Sequence, residues 1–284
     1  MPLEINRDSI FRAFKYIVYG FLALNVYLFF ADEWAASAHR FADGVAIKDI
    51  IEGFAASIDT AAWVVLLLMF EFETYVLDEE QFTKRTTWTL HGLRAICYVF
   101  IIYAFYGYIS KLFYLLGATE LPNVSELCAL VNGQWAYAVD FDEYAVLTTA
   151  NCTSMSAATA FYQFPGISAV VDSRGLTEIV RLAWVDVINS AVWLLVVAVL
   201  EMDVRLQELS KLEGRILRIS NVSKSILYAV LFLAAIYWGV KGDFVDFWDA
   251  FLWLVAFVFI ELNVFEWRQE SLEQQAEASV PGGA

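Results

Sequence analysis

An acid or amide, a tryptophan and a glutamate recur with one spacing in three apolar stretches of the chain. In each copy an Asp or Asn is followed four residues later by Trp and eight residues after that by Glu. The three copies are Asp59, Trp63 and Glu71; Asn189, Trp193 and Glu201; and Asp249, Trp253 and Glu261. Ionisable residues inside apolar segments pair with other charges or mark routes for ions and protons. The pattern therefore predicts buried ion pairs, an ion pathway, or both.

Further polar residues extend this motif and add a base. Two residues after each Glu comes Glu73, Asp203 or Asn263, and the later copies have Asp186 and Asp246 three residues before the first motif position. The apolar stretch that precedes each copy begins with a base four residues before a Tyr: Lys15 and Tyr19, Arg94 and Tyr98, Lys224 and Tyr228. The repeated unit is thus a pair of apolar stretches.

The depth of the motif requires an interior position for its acids. At 100° per residue, Asp59, Trp63 and Glu71 fall within about 120° of one another on a helix. Twelve helical residues rise about 18 Å, against a hydrocarbon core of about 30 Å. Because acidic side chains are short and reach the membrane surface poorly, we expect this face to point toward protein or a water-filled cavity.

The motif glutamates and the bases are expected to form an inner charged ring near one membrane surface. Its predicted members are Glu71, Glu201, Glu261, Lys15, Arg94 and Lys224. One interpretation is structural, with ion pairs that fix how the helices pack. The other is functional, with the same pairs acting as a gate or as an ion or proton relay. The two are compatible, since a gate is a pair that opens.

An outer polar ring is expected toward the other membrane surface, where the sequence supplies few bases. Its predicted members are Asp59, Asn189, Asp249, Asp186 and Asp246. These side chains suit helix N-termini, where carboxylates cap free N–H groups and face the positive end of the helix dipole. Alternatively, they line a mouth that attracts cations.

Aromatic side chains accompany the two rings. They are Trp63, Trp193, Trp253, Tyr19, Tyr98 and Tyr228. Trp and Tyr in membrane proteins commonly serve packing or form interfacial belts. If the bundle conducts a solute, these residues are the predicted aromatic constriction.

The composition indicates a polytopic protein in contact with a lipid bilayer. The chain is 60% hydrophobic, 17% aromatic and only 18% charged. A membrane-spanning helix takes about 20 mostly apolar residues. Six stretches meet this requirement, at about 13–31, 54–76, 93–116, 179–201, 223–240 and 245–265. The predicted fold class is therefore an all-α integral membrane protein with six transmembrane helices.

The repeated motif groups these helices into three hairpins with the same orientation. The hairpins lie at about 8–80, 86–208 and 218–270, because two spans in each unit give parallel repeats. We expect a pseudo-threefold bundle in a single membrane domain of residues 1–270. A disordered cytoplasmic tail is predicted for residues 271–284.

Basic residues set the predicted orientation, since cytoplasmic segments hold the excess of Lys and Arg. With the N-terminus inside, the inner segments hold 12 of the 18 Lys and Arg residues. Both termini are therefore predicted to be cytoplasmic, in a plasma membrane or bacterial inner membrane. Residues 117–178 then form an external loop, which is too long for a simple connection and is expected to be structured.

Two of the three cysteines lie in this external loop. Because disulfides persist outside the cytoplasm, Cys128 and Cys152 are predicted to form one. Two free thiols are the alternative. Cys97 lies within the third apolar stretch and is expected to be a small buried hydrophobe.

The favoured function is a transporter or channel that moves a small ion or solute through an acid-lined bundle, with a cation or a proton as the expected species. A structural or accessory subunit of a membrane complex is the alternative, and the oligomeric state is left open. His39 and His91, the two histidines, lack metal-ligand spacing. The sequence indicates no cofactor and does not favour an enzyme. Its net charge of -15 argues against nucleic acid as a partner.

The topology is testable by labelling single-cysteine variants from outside the cell. A cysteine at position 140 should react with a membrane-impermeant thiol reagent, whereas a cysteine at position 84 should react only after the membrane is permeabilised. Labelling of position 84 in intact cells, with position 140 protected, would contradict the predicted orientation.

Overall fold

The computed structural model describes residues 7–40, 50, 53–75, 83–140, 142–209, 212–241 and 244–259. The protein is mostly helical (78%). Glu261 and Asn263, which belong to the third copy of the motif, lie outside the described residues, as does the predicted tail.

Long apolar helices dominate the structure. They are α1 (Arg7–Arg40), α2 (Ala55–Tyr75), α3 (Lys84–Leu116), α4 (Ser173–Glu208) and α5 (Gly214–Lys241). All five are long and apolar enough to cross a membrane, as expected for a multi-pass membrane protein. Residues 244–259 are also helical. The sixth predicted stretch continues to residue 265, beyond the described residues, so the count of six spans stays a prediction.

Side-chain caps start two of these helices well before their apolar stretches. The Thr83 hydroxyl accepts a hydrogen bond from the Thr86 N–H at 3.2 Å, and Asp172 accepts from the Gly175 N–H at 2.7 Å. These caps satisfy amides that the first helical turn leaves free. The 33 residues of α3 rise about 50 Å, more than the hydrocarbon core of about 30 Å. Hydropathy therefore locates the apolar segment of such a helix but not the residues at which the helix begins and ends.

The chain divides into two compact units. The first consists of Met1–Leu22 with Leu231–Ala284, and the second of Ala23–Val230. In the second unit α2 packs against α3, and α3 packs against α4. The contact between α2 and α3 is the one that their short connection predicts.

Aromatic contacts characterise the described part of the first unit. The rings of Phe11 and Phe259 meet edge to face with centroids 5.1 Å apart, and those of Phe21 and Trp248 with centroids 5.6 Å apart. Edge-to-face contacts of this kind add to the stabilisation that burial of the rings provides. Residues 11–21 and 248–259 are thus joined by ring packing.

Between α3 and α4 the chain forms a small domain built on a five-stranded sheet, called here the sheet domain (residues 119–172). Its strands are β1 (Thr119–Glu120), β2 (Ala136–Ala138), β3 (Tyr144–Val146), β4 (Phe161–Gln163) and β5 (Ala169–Asp172). The strand order is β1-β4-β5-β2-β3, and only the β2 and β5 pair is parallel. The expectation of a structured connection thus holds, and the structure is a sheet.

Apolar residues cover both faces of this sheet. Along β5, Val171 belongs to a cluster that includes Leu115 of α3 and Ile179 of α4. Val170 points to the other face, where Phe161 packs beside the short helical segments of the domain. Alternate residues of a strand face opposite sides, so β5 supplies both clusters. The sheet domain is thereby packed onto the adjoining ends of α3 and α4.

A disulfide joins Cys128 to Cys152, with Cα atoms 5.0 Å apart. This confirms the pairing predicted from the sequence. Cys152 is buried, and both residues contact the cluster on the face of the sheet away from α3 and α4. Cys97 is free and buried in α3, as expected.

Hydrogen bonds to Asp172 also hold the sheet domain where β5 ends and α4 begins. The Tyr137 hydroxyl donates to Asp172 at 3.2 Å, and the Ser156 hydroxyl donates to the same oxygen at 2.5 Å. Burial, together with the nearby carboxylate, raises the pKa of Tyr137 to about 12. Burial disfavours the charged form of Asp172, but hydrogen bonds from Gly175, Ser156 and Tyr137 outweigh it and hold the pKa of Asp172 below its usual value. At neutral pH a phenol thus donates to a carboxylate that also caps α4.

Removal of the disulfide should loosen the sheet domain. Closing a loop across a sequence separation of 24 residues stabilises by about 3 kcal/mol in the chain-entropy model, which corresponds to roughly 100-fold faster exchange of the most protected amides. Hydrogen exchange followed by mass spectrometry should show this change in β2 and β5 of the Cys128→Ala, Cys152→Ala double variant. The Cys97→Ala variant is the control and should retain wild-type exchange in the sheet. Equal protection in all three proteins would show that the disulfide does not support the domain.

Candidate functional site

Ion pairs connect consecutive long helices of the second unit at one end of the bundle. Arg94 on α3 contacts Glu73 on α2, with Nη2 and Oε2 2.6 Å apart. Lys224 on α5 contacts Asp203 on α4, with Nζ and Oδ2 3.3 Å apart. These four residues are called here the Arg94 layer. In both pairs the base comes from the start of one predicted hairpin and the acid from the end of the hairpin before it.

The acid in each of these pairs lies two residues after the acid that the sequence predicts. Arg94 and Lys224 are expected to pair with motif glutamates, whereas the structure places them against the acids two residues later. Two residues turn a helix by 200°, so Glu73 faces α3 while Glu71 points in another direction and is buried. The two described pairs thus use the acids two residues after Glu71 and Glu201, and the inner ring of motif glutamates stays a prediction.

Glu201 makes contacts of its own. The Tyr98 hydroxyl of α3 donates to Glu201 at 3.3 Å, and Arg205, one helical turn later, lies 4.0 Å from the same carboxylate. Glu201 therefore contacts Tyr98, which belongs to the same predicted hairpin. In this hairpin Arg94 contacts the preceding hairpin through Glu73, and Tyr98 contacts the second helix of its own hairpin through Glu201.

The pair between Lys224 and Asp203 is the more buried of the two. The side chains of Lys224 and Asp203 are 14% and 12% exposed, compared with 32% and 23% for Arg94 and Glu73. The Ser220 hydroxyl, one turn before Lys224, also donates to Asp203 at 2.6 Å. Charges attract each other more strongly where water is excluded, so this pair is the stronger link.

In the first unit, Lys15 is only 2% exposed, and its ammonium lies 5.2 Å from the centre of the Tyr16 ring. Such burial of a lysine is unusual and agrees with the interior position that the sequence predicts. Tyr19 is buried as well, and Tyr228 of the second unit is partly buried. The expected partner Glu261 lies outside the described residues.

At the other end of α3, one lysine contacts two acids. Lys111 Nζ lies 3.3 Å from Asp186 on α4 and 3.5 Å from Asp142 in the sheet domain. These three residues are called here the Lys111 layer. The sequence predicts few bases near the outer ring, and Lys111 is one that contacts a member of that ring, Asp186. The sequence could not identify the contact, because Lys111 and Asp186 are separated by the whole sheet domain.

Other members of the predicted outer ring lie in partly buried positions. The Tyr108 hydroxyl, one turn before Lys111, donates to Asp59 at 3.5 Å. Asn189 Oδ1 is buried and accepts no hydrogen bond from the residues that the structure describes. Asp246 and Asp249 are partly buried in the first unit. Asp59, Asn189 and Asp186 thus lie in the second unit, whereas Asp246 and Asp249 lie in the first.

Glu33 is a buried acid that the sequence analysis misses. It is 5% exposed and accepts hydrogen bonds from the N–H groups of Ala56 and Ser57 at 2.9 and 3.1 Å. The Ser57 hydroxyl donates to it as well. Glu33 of α1 therefore caps the first turn of α2, as carboxylates do at helix N-termini. Glu33 lies two residues beyond the first apolar stretch, which ends at about residue 31, and belongs to no copy of the motif.

Two of the motif tryptophans meet inside the second unit. The ring centroids of Trp63 on α2 and Trp193 on α4 are 6.3 Å apart, and both side chains are buried. Trp253 is likewise buried and packs against Phe257 in the first unit. All three motif tryptophans therefore face protein, as the single-face pattern predicts.

The two charged layers and the tryptophan contact have a regular spacing along the helices. Arg94 and Lys111 are 17 residues apart on α3, and Asp186 and Asp203 are also 17 residues apart on α4. Each interval rises about 25 Å, close to the thickness of a hydrocarbon core. Trp193 lies about 10 Å from the level of Asp186 and about 15 Å from that of Asp203. An aromatic contact thus separates two charged layers.

Comparisons with known proteins add no further constraint: no family model, curated protein or solved structure matches the chain. Within the described ranges, no three His, Cys, Asp or Glu side chains are grouped so that they could hold a metal ion.

The two ion pairs of the Arg94 layer should differ in coupling energy. In a double-mutant cycle, Lys224→Gln and Asp203→Asn should couple by about 1 to 3 kcal/mol, because the pair is buried. Arg94→Gln and Glu73→Gln should couple by about 0.2 to 1 kcal/mol, because their pair is more exposed. Thermal unfolding in detergent measures both cycles. Additive effects of Lys224→Gln and Asp203→Asn would show that the contact contributes nothing to stability.

Proposed function

We propose that this polytopic membrane protein moves a small cation or a proton through its helical bundle. The observation that carries the proposal is the order of layers in the second unit. The Lys111 layer, the contact between Trp63 and Trp193, and the Arg94 layer follow one another along α3 and α4. Charged groups on both sides of an apolar barrier are the arrangement that a gated ion route requires.

The energetics of buried charges support this proposal over simple packing. Replacing a buried ion pair by apolar residues of similar volume is often neutral or stabilising. A bundle that only needed to hold together would gain as much from aliphatic contacts. Acidic and basic side chains buried at two levels are therefore better explained by a task that needs charge.

In the proposed mechanism the tryptophan contact is the constriction and the two charged layers are gates. A cation that enters from the side of Lys111 would exchange with that ammonium at Asp186. Passage between Trp63 and Trp193 would bring the cation to Glu71 and then to the Arg94 layer. Opening one layer at a time would prevent a continuous leak, because the other layer stays paired.

The proposed architecture has six spans, formed by three parallel hairpins around a pseudo-threefold axis. Its support is the equivalence of two contacts: Arg94 with Glu73, and Lys224 with Asp203, each join the first helix of one hairpin to the second helix of the preceding hairpin. A closed ring of three such contacts would assign Lys15 to the end of the third copy. The acids and bases of the predicted inner ring, with Glu73 and Asp203 added, then surround one axis.

An accessory or structural role in a membrane complex is the second candidate. The observation in its favour is that hydrogen bonds and ion pairs already engage the charges of both layers and of Glu33. Such contacts fix helix packing without any need for movement. The two candidates differ in whether the tryptophan contact controls a flux.

Liposomes that contain purified protein test this difference. Trp193→Leu should increase the flux of protons or monovalent cations, because the smaller leucine side chain lowers the energy barrier between the two layers. A loss of about 1.4 kcal/mol from that barrier gives about a tenfold increase. pH-sensitive and alkali-cation-sensitive dyes inside the liposomes report the flux.

The matched control is Trp88→Leu, since Trp88 lies on α3 and is 79% exposed. Its flux should equal that of the wild type. If wild-type and Trp193→Leu liposomes conduct no better than empty ones, the transport proposal is wrong and the accessory role is favoured.

A further inference from the structure

One amide oxygen of α4 is buried without a hydrogen bond. Asn189 Oδ1 accepts none from the part of the chain that the structure describes. Buried polar atoms in proteins are normally satisfied, because an oxygen that loses water and gains no donor costs free energy. An amide oxygen can satisfy this requirement with a donor or with a cation. Asn189 therefore indicates a ligand at its level of the bundle.

The register of α3 and α4 places Asn189 opposite Tyr108. The end of α3 and the start of α4 pack on the same cluster of the sheet domain, so the two helices run antiparallel. Lys111 of α3 contacts Asp186 of α4. Tyr108 precedes Lys111 by three residues, and Asn189 follows Asp186 by three. Residues three apart on a helix share a face, so Tyr108 and Asn189 lie about one turn below this ion pair.

The register of α2 and α3 places Asp59 at the same level. Arg94 of α3 contacts Glu73 of α2, and 14 residues later on α3 the Tyr108 hydroxyl donates to Asp59, which lies 14 residues before Glu73. Fourteen residues make about four helical turns, so both contacts belong to one antiparallel register. The hydroxyl and carboxylate oxygens are 3.5 Å apart. Hydrogen bonds between such groups are usually shorter, about 2.7 Å.

The contact between α2 and α4 brings Asp59 and Asn189 to one level independently. The rings of Trp63 and Trp193 meet, and each Trp lies four residues after Asp59 or Asn189. Because α2 and α4 both run antiparallel to α3, these two polar residues face the same space, one turn from the indole rings. Two indoles fill that space at their own level. A carboxylate and an amide are much shorter, so they leave room for a small ion.

The chemistry of these groups suits a monovalent metal cation. Carboxylate, amide and hydroxyl oxygens are ligands of hard cations, and Tyr108 keeps lone pairs for a ligand while it donates to Asp59. Neighbouring oxygens that bind one cation at about 2.4 Å lie roughly 3.4 Å apart, close to the separation of Tyr108 and Asp59. Asp59 carries the only formal charge among the three, which one positive charge neutralises. The Lys111 ammonium is already paired with two other carboxylates.

We propose that Asp59, Asn189 and Tyr108 together bind a dehydrated alkali cation such as Na⁺. A proton held by Asp59 would reach one acceptor, whereas a metal cation is shared by oxygens from three helices. The site lies between the Lys111 layer and the tryptophan contact, at the entrance to the proposed constriction. This inference rests on the proposed function and names the cation that the route selects, but binding is measured separately from flux.

Thermal unfolding of the full-length protein in detergent tests the site, in lithium, sodium, potassium and choline chloride at one ionic strength. At ten times its Kd, one alkali cation should raise the Tm of the wild type by about 3 °C relative to choline, because it binds only the folded state. Asn189→Leu, which keeps the size of the side chain and removes the oxygen, should lose this difference.

Tyr108→Phe is the second variant and keeps the ring. Loss of its hydroxyl should raise the cation concentration that gives a half-maximal Tm shift about tenfold. Tyr106→Phe is the matched control, since Tyr106 lies on the same helix and is 57% exposed. Its cation dependence should equal that of the wild type.

An equal Tm of the wild type in all four salts overturns the site, as does a cation-dependent shift that either variant retains unchanged. Cation and proton flux in liposomes separates the site from transport. Loss of the Tm shift together with a reduced cation flux in the variants supports the site as part of the route. A cation-dependent shift, lost in the variants, in a protein without flux supports the site and overturns the proposed function. Proton flux without any cation-dependent shift overturns the site and leaves the proton as the transported species.

Discussion

The structure depends on one constraint: a charge placed inside an apolar bundle must have partners there. A charged side chain in the hydrocarbon is strongly unfavourable, and removal of one member of a buried pair leaves the other without compensation. In this protein the constraint joins helices to one another. Glu73 and Asp203 at the ends of α2 and α4 each meet a base at the start of the following helix. Helix order and charge pairing are thus specified by the same residues.

The same constraint joins the sheet domain to the helices. Asp172 ends β5 and caps α4, so its carboxylate belongs to both. Lys111 also links the domain to the helices, because its ammonium contacts Asp142 in the domain and Asp186 on α4. The cluster between β5 and the ends of α3 and α4 stabilises this contact by burying apolar surface, whereas these polar contacts fix the position of the sheet domain on the helices. A displacement of the sheet domain would therefore disturb contacts with α3 and α4.

Features that depend on local composition could be predicted from the sequence. Apolar length predicted the membrane helices, and two cysteines in one loop predicted the disulfide. Features that depend on the register between helices could not. The motif identified a helix face, but which acid meets Arg94 depends on how α2 and α3 are offset, and a shift of two residues changes the partner. The sheet gave little signal because its strands are only two to four residues long, too short for alternation to be recognised. Glu33 was missed because its role is defined by the N-terminus of another helix.

The central claim is that the motif face of α2 lines a route that water can enter from both ends and that the tryptophan contact closes in the middle. Cysteine accessibility tests it directly, with single substitutions at positions 59, 63 and 71 in a Cys97→Ala background and an impermeant thiol reagent applied from each side. A thiol reacts quickly only where water reaches it and it can ionise. The account predicts that position 59 reacts from one side only, position 71 from the opposite side only, and position 63 from neither. Protection of both position 59 and position 71, in a preparation where a cysteine at the exposed position 88 reacts, would contradict the account and show a dry, fully packed bundle.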